Sequence, residues 1–369
     1  MNETNSLFLV RTFCATYNHE NYITDALNGF VMQQTTFPVV YTIIDDASTD
    51  STPDVIRKFV SDGFDLNEPI VGYEKDTDYG HVTFARHKTN KNCYFAVIYL
   101  KENHYSQKKS RAPYLTEWMD TKYIALCEGD DYWIDPLKLQ KQVDYLEEHD
   151  DVGLCFTDYC IREGERIRVE SVFENGIDRI PNGFEDHLLR AGYIAPMSWL
   201  YRASYLPQLN DLKYFSDGSF SMALLFYHDS KVAYLPVQTS VYRVLPGSAS
   251  RPETKAGQLK FGVGVLKTQV YYAELYGMKE DILKKIKSKA YFQMLPLALE
   301  AGEKEFVREA EAFFDSNNMY FPELLALCRG KIDLQKHYDK AQKELGVVRK
   351  SKAYKLGHFI LDPYRKLIK

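Results

Sequence analysis

The chain has 369 residues, 46 Lys and Arg against 51 Asp and Glu, a net charge of −5 and 14% aromatic residues. That length supports a large core and more than one domain, and the mildly acidic balance disfavours a general nucleic-acid binder, so no nucleic-acid partner is expected. The polar residues 1–6, the short apolar run 7–10 and the lack of any stretch of ~20 apolar residues read as a cytoplasmic protein without a secretory signal or a membrane span.

Residues 7–14 read as a strand, 15–18 as a loop and 22–33 as a helix by apolar periodicity. Residues 39–44 form a β-branched strand that ends in the turn Asp45-Asp46-Ala47-Ser48-Thr49-Asp50. Ser51 then stands as N-cap of a helix over 53–60, with Pro53 in its first turn. Residues 63–92 read as an irregular polar excursion on the surface. Strands are expected over 94–100 and 123–127, and Asp135 and Pro136 open a helix reaching about residue 148. Strands over 152–160 and 167–173 form a hairpin around Glu163-Gly164-Glu165; helices over 182–191 and 220–228 and a strand over 233–244 follow. From about residue 251 the pattern changes to four amphipathic helices, 260–277, 279–301, 304–316 and 321–345. Strand–helix alternation through short loops argues for a mainly parallel α/β sheet with helices on both faces, followed by a helical region. The six cysteines show no C-x-x-C pairing and several sit in apolar runs, as reduced core thiols do; the nine histidines form no zinc spacing.

The densest chemistry lies where the apolar run Tyr123-Ile124-Ala125-Leu126-Cys127 drops into Glu128-Gly129-Asp130-Asp131. Three carboxylates in one turn repel each other, and the usual remedy is a hard divalent cation with oxygen ligands. A solvated acidic turn is the plain alternative. Asp45-Asp46 ends an earlier strand, and parallel strands deliver both acidic turns to one edge, where ligands bind. The same Asp, Ser and Thr also suit a turn and helix cap. No G-x-G-x-x-G follows the first strand and no Walker A loop is present, which disfavours a dinucleotide oxidoreductase and a P-loop enzyme.

Thr16-Tyr17-Asn18, the run Asp45 to Asp50 and Glu128-Gly129-Asp130-Asp131-Tyr132-Trp133 stand in an order and spacing that resembles family-2 inverting glycosyltransferases with the GT-A fold, of the bacterial cell-surface polysaccharide type. The resemblance covers about the first 250 residues. It implies a glycosyltransferase domain over 1–250, a nucleotide-diphosphate-sugar donor, Mn²⁺ or Mg²⁺ as cofactor, and a saccharide or lipid-linked glycan as acceptor. Carried over residue by residue, Thr16, Tyr17, Asn18, Asp45 and Asp46 bind the donor nucleotide. Glu128 takes the first acidic position of the D-x-D motif, with a longer arm, and Asp130 the second, as metal ligand. Asp131 is a supporting residue. Asp217, in Ser216-Asp217-Gly218 ahead of an apolar helix, matches the general base; its alternative is a simple N-cap, and Asp211 and Asp229 are the fallback candidates. Tyr242-Arg243 resembles the segment near the diphosphate, so Arg243 is a donor contact, while Leu245 stands where the family has a histidine. Trp199 is either a sugar platform or a buried strand aromatic.

Residues 251–345 are the helical region and 346–369 a basic tail with an interleaved apolar face, suited to an anionic membrane surface on the inner side of the cell membrane. Two other classes fit less well. A non-catalytic nucleotide-sugar-binding relative is suggested by Leu245, and a sugar nucleotidyltransferase would need a Gly- and Lys/Arg-rich loop that residues 15–21 do not offer.

Overall fold

Residues 39–44 are apolar or β-branched on both faces, a pattern that only a strand covered on both sides can use, and every one of them is buried. In the computed structural model, which describes residues 7–67, 72–245, 248, 251–317 and 321–350, this segment lies near the middle of one large sheet. Its strands among the described residues are β1 Val10–Thr16, β2 Val39–Asp45, β3 Phe64–Asp65, β4 Gly72–Asp76, β5 Gly80–His87, β6 Cys93–Leu100, β7 Tyr123–Leu126, β8 Tyr132–Trp133, β9 Val152–Glu163, β10 Arg166–Arg168, β11 Trp199–Arg202 and β12 Lys231–Val244. The helices are α1 Ile23–Val31, α2 Thr52–Gly63, α3 Lys138–Glu148, α4 Gly183–Arg190, α5 Leu206–Asn210, α6 Gly218–Asp229, α7 Lys255–Leu275, α8 Glu280–Ala301, α9 Lys304–Ser316 and α10 Phe321–Lys350.

The sheet runs β3-β5-β6-β2-β1-β7-β11-β9-β12-β8, with β4 on β5 and β10 on β9. Its heart is parallel: β6, β2, β1 and β7 run together, and β9 pairs parallel with β12. The remaining pairs are antiparallel, so the sheet is mixed. Register aligns Thr16 with Asp45 and Phe13 with Leu126, which brings the C-terminal ends of β1, β2 and β7 to one edge. This is an α/β sheet flanked by helices with a helical C-terminal region, the architecture the resemblance implies.

The segment 63–92 is a correction. It is not an irregular excursion but carries β3, β4 and β5, and β5 extends the sheet antiparallel to β6. Val82, Phe84 and Ala85 are buried while His81, Arg86 and His87 are not, so the strand is half-covered and its polar outer residues mask the alternation. The helix caps also differ from expectation. Ser51 makes no side-chain cap bond; Asp50 Oδ1 accepts instead from the Thr52 N–H (2.9 Å) and hydroxyl (2.6 Å). Asp135 Oδ1 accepts the Leu137 N–H at 2.9 Å, and α3 begins only at Lys138. The hairpin around Gly164 forms, with that glycine at φ +59°, but β10 has only three residues. All six cysteines are free and buried.

Candidate functional site

Two loops close over the ends of β1 and β2 and are stitched to each other. Asn18 has φ +56° and Ala47 φ +57°, left-handed conformations that Asn tolerates well. The Asn18 Oδ1 accepts the Thr49 N–H at 2.8 Å, and its own N–H donates to Ser48 Oγ at 2.9 Å. The His19 N–H donates to Thr52 Oγ1 at 2.8 Å and the Glu20 N–H to Asp50 Oδ2 at 3.1 Å. Asn18 therefore spends its amide oxygen on the loop, while Tyr17 beside it is exposed. Thr16 is buried, its hydroxyl 3.1 Å from His19 Nδ1 and its carbonyl accepting the Asp46 N–H at 2.9 Å.

The paired carboxylates at the end of β2 have different fates. Asp46, 1% exposed, gives Oδ1 to the His104 N–H (2.8 Å) and Oδ2 to the Tyr105 N–H (2.9 Å), and its carbonyl accepts from Asn103 Nδ2 at 3.0 Å. It holds the 103–105 loop at the sheet edge. Asp45 Oδ2 accepts a long bond from the Ser48 N–H at 3.4 Å, and its Oδ1 is buried with no hydrogen-bond partner among the described residues. Burial pushes its carboxyl above the ordinary value.

The acidic turn is bound to β1 and β12. The Gly129 N–H donates to the Ala15 carbonyl at 2.9 Å, and a Cβ at Gly129 would stand 2.6 Å from the Thr16 hydroxyl oxygen, so only glycine allows this approach. Arg243 clamps the turn. Its N–H donates to Asp131 Oδ1 at 2.7 Å, its guanidinium donates to the Asp130 carbonyl and pairs with Asp25, and it lies between the Tyr22 and Tyr132 rings at 4.9 and 4.8 Å. A phosphate contact would thus have to share a guanidinium already engaged with the protein.

Charge accumulates at this edge. Glu128 opens onto solvent along the cleft, yet protein surrounds it closely. Loss of hydration, then the Asp130 and Asp217 charges, push its carboxyl up to about 7 against a partial opposing pull from Arg111. Asp131 is raised well above its usual range by burial, Asp130 and Glu128. The carboxylates are thus short of positive charge, and the Asp130 carboxylate has no hydrogen-bond partner among the described residues. An oxygen-rich donor set whose Glu128 and Asp131 carboxyls stay raised despite Arg111 and Arg243 fits a hard divalent cation. Among the described residues no three His, Cys, Asp or Glu side chains converge into a closed metal cage.

Asp217 lies close enough to the acidic turn for its charge to act on Glu128. It is the N-cap of α6: Oδ1 accepts the Ser219 N–H at 2.8 Å and the Ser219 hydroxyl at 2.7 Å. Its Oδ2 has no hydrogen-bond partner among the described residues, so one carboxylate orients the side chain and presents an oxygen at once. The helix N-terminus favours its ionised form. Asp229 lies at the opposite end of α6, ~18 Å away at 1.5 Å per residue, paired with His228 at 2.5 Å. Trp199 is 1% exposed in β11 and is a strand aromatic, not a sugar platform.

Two residues of the site carry no strong sequence signal. Arg111 lies 3.5 Å from Asp46 Oδ2, 5.7 Å from the Phe13 ring and within reach of Glu128, a cation between the two acidic turns. Tyr193, 36% exposed, packs 5.6 Å from the Tyr242 ring, near enough to feel the charges of Asp131 and Asp217. Each sits in a loop without periodicity; the cluster Lys108-Lys109-Ser110-Arg111 is the one available hint.

Several known proteins are similar to this chain. Uncharacterized proteins of Mycobacterium tuberculosis and Mycobacterium bovis are each 40% identical over 141 residues, covering 38% of this chain and 32% of theirs. The chain therefore spans about a third of the length of these relatives. Among solved structures, the mannosyltransferase PcManGT from Pyrobaculum calidifontis in complex with GDP-Man and Mn²⁺ aligns over 90% of this chain and 85% of its own, at 14% identity and TM-score 0.46. S. aureus TarS 1–349 in complex with UDP aligns over 88% and 87%, at 14% identity and TM-score 0.40. The family model described as glycosyl transferase family 2 matches residues 13–209, more than half of the chain. The chain belongs to glycosyl transferase family 2.

Proposed function

We propose that this protein transfers a sugar from a nucleotide-diphosphate-sugar donor to a saccharide or lipid-linked glycan acceptor, with inversion at the anomeric carbon, in the building of a cell-surface polysaccharide. The observation that carries the reading is the closeness of the acidic turn, whose Glu128 and Asp131 carboxyls stay raised despite Arg111 and Arg243, to a carboxylate oxygen of Asp217 that has no hydrogen-bond partner among the described residues. Family membership supports sugar transfer as the chemistry.

In this reading Thr16, Tyr17 and Asp45 flank the nucleotide, with Asn18 holding their loop and Asp46 acting at one remove through the 103–105 loop. Arg111 faces the negative donor beside Glu128. Asp130, with Glu128 beside it, would hold Mn²⁺ or Mg²⁺. When bound, the cation supplies charge neutralisation for the diphosphate leaving group. Asp217 removes the acceptor hydroxyl proton as that oxygen attacks the anomeric carbon, and the Ser219 N–H and hydroxyl keep its carboxylate aimed. Arg243 keeps the acidic turn in register.

No helix among the described residues is long and apolar enough to cross a membrane. A peripheral attachment rests on the basic tail 346–369; its residues from 351 onward lie outside the described ones, and the support is composition alone. Liposome flotation of the full chain and of a chain ending at residue 345 tests it, and equal flotation removes the idea. The transferase reading is tested with Mn²⁺ or Mg²⁺ and a panel of UDP- and GDP-sugars, following release of nucleoside diphosphate and the anomeric configuration of the product. Release of pyrophosphate would indicate a nucleotidyltransferase, and donor binding without any release a non-catalytic relative.

A further inference from the structure

The loop that carries Asp217 rests on the C-terminal helices. At Gly264, in the middle of α7, an added Cβ would stand 2.6 Å from the Phe215 carbonyl oxygen and 2.7 Å from the Ser216 Cβ. One turn on, the Thr268 hydroxyl donates to the Gly264 carbonyl at 3.0 Å and accepts the Phe215 N–H at 3.4 Å. A further turn on, the Tyr272 hydroxyl donates to the Lys213 carbonyl at 2.9 Å, which also accepts from Ser221 Oγ of α6 at 3.1 Å. Spaced four apart, these three positions share one face of α7.

The same helices also hold the end of α4. Gln269 Nε2 donates to the Leu188 carbonyl at 2.6 Å, and Lys289 Nζ of α8 donates to the Leu189 and Arg190 carbonyls at 3.1 Å each. These satisfy the orphan carbonyls that end α4, three residues before Tyr193. Glycine is a poor residue for a helix interior. At Gly262 the close neighbour is the flexible Met294 thioether, which can yield; at Gly264 it is main chain, which cannot.

We propose that Gly264, with Thr268 and Tyr272, positions the catalytic base, so that α7 is part of the catalytic apparatus and not an appended helix. The inference rests on the reading of Asp217 as the base. A Cβ at position 264 displaces the Phe215–Ser216 peptide, and Asp217 is the next residue along. A displacement of about 1 Å at a reacting group is enough to cost about a hundredfold in rate.

The test compares Gly264→Ala, the double variant Thr268→Val/Tyr272→Phe and Asp217→Asn in the full chain, with Mn²⁺ and UDP-glucose, UDP-N-acetylglucosamine and GDP-mannose as probes. For Gly264→Ala, kcat for nucleoside diphosphate release falls about ten- to a hundredfold while donor KM stays within about twofold. Deuterium exchange at the Phe215 and Ser219 amides accelerates, and that of the β1 and β2 amides does not change. This exchange decides the matter even if none of the three probes turns over. A folded Gly264→Ala protein with unchanged kcat and unchanged exchange at those two amides overturns the inference. If Gly264→Ala does not fold, the double variant, which removes two hydroxyls without adding volume, takes its place: slower turnover with faster exchange at the two amides supports the inference, and no change in either overturns it. An inactive Asp217→Asn beside an unaffected Gly264→Ala sinks this inference alone; an active Asp217→Asn sinks the base assignment and this inference together.

Discussion

The two walls of the cleft are built differently. The wall proposed to take the donor is the edge of the parallel sheet itself: the ends of β1, β2 and β7, with Thr16 aligned on Asp45 and the acidic turn hydrogen-bonded back to Ala15. Its groups are fixed by strand register and by loops tied to one another. The wall proposed to face the acceptor, with Asp217 and Tyr193, consists of the end of α4 and the start of α6, supported by α7 and α8. A site made this way separates binding from chemistry: damage to one wall should alter donor affinity, and damage to the other should alter turnover.

The largest expected effect probes that separation directly. Asp217→Asn keeps the N-cap geometry but removes the base, and positioned base catalysis is worth ~10²–10⁴ in rate, so nucleoside diphosphate release should fall by that much while calorimetric donor affinity survives. Loss of donor affinity in this variant would break the comparison. Asp130→Ala works from the other wall. Donor affinity measured with Mn²⁺ should fall by about tenfold or more, as expected when a ligating carboxylate is removed, while affinity without metal changes little. Equal loss with and without metal would show that Asp130 holds the turn and not a cation.

Legibility in the sequence follows the same division. Thr16, Asp45 and Asp130 are visible because each stands where an apolar strand stops, and strand ends announce themselves by hydrophobic pattern. Asp217 is visible as a carboxylate ahead of an apolar helix. Arg111 and Tyr193 are not, because their loops have no period and their neighbours come from β2, β7 and β12. Gly264 reads as one more helix residue; its meaning lies in the approach of a main chain 49 residues earlier in sequence. Arg243 is legible as a residue near the site, but its partners Asp25, Asp130 and Asp131 are brought to it by the fold. β5 hides because a half-exposed strand with His81, Thr83 and Arg86 dilutes its own apolar signal.

The clamp gives a smaller, structural effect. Arg243→Ala removes a buried guanidinium, leaves the Asp130 carbonyl without that donor and opens space between Tyr22 and Tyr132. Because Asp25 is 43% exposed and regains water, a cost of about 2 kcal/mol is expected, below the 3–5 typical of a fully buried pair. Denaturant unfolding measures it. A loss of donor affinity far beyond that of Asp130→Ala would instead assign Arg243 to the diphosphate.

The smallest effect has a distinctive pH signature. The Glu128 carboxyl is raised to about 7 by lost hydration and by Asp130, with Asp217 adding to it and Arg111 opposing. A raised carboxyl binds its proton more tightly in the folded than in the unfolded chain, so folded stability declines as pH climbs from the ordinary Glu value to about 7. Asp131 is shifted in the same direction and contributes with the same sign. Glu128→Gln removes one repelling charge. Its melting temperature should exceed that of the parent slightly at pH 8, where the parent carboxylate is charged but screened by the solvent it is exposed to, and match it near pH 5, where it is already neutral. Saturating Mn²⁺ should shrink the difference at pH 8, because the cation neutralises the same charge in the parent. A gap that persists at pH 5 would mean that Gln stabilises by packing, and the acidic turn would no longer count as a site kept under electrostatic strain for its cation.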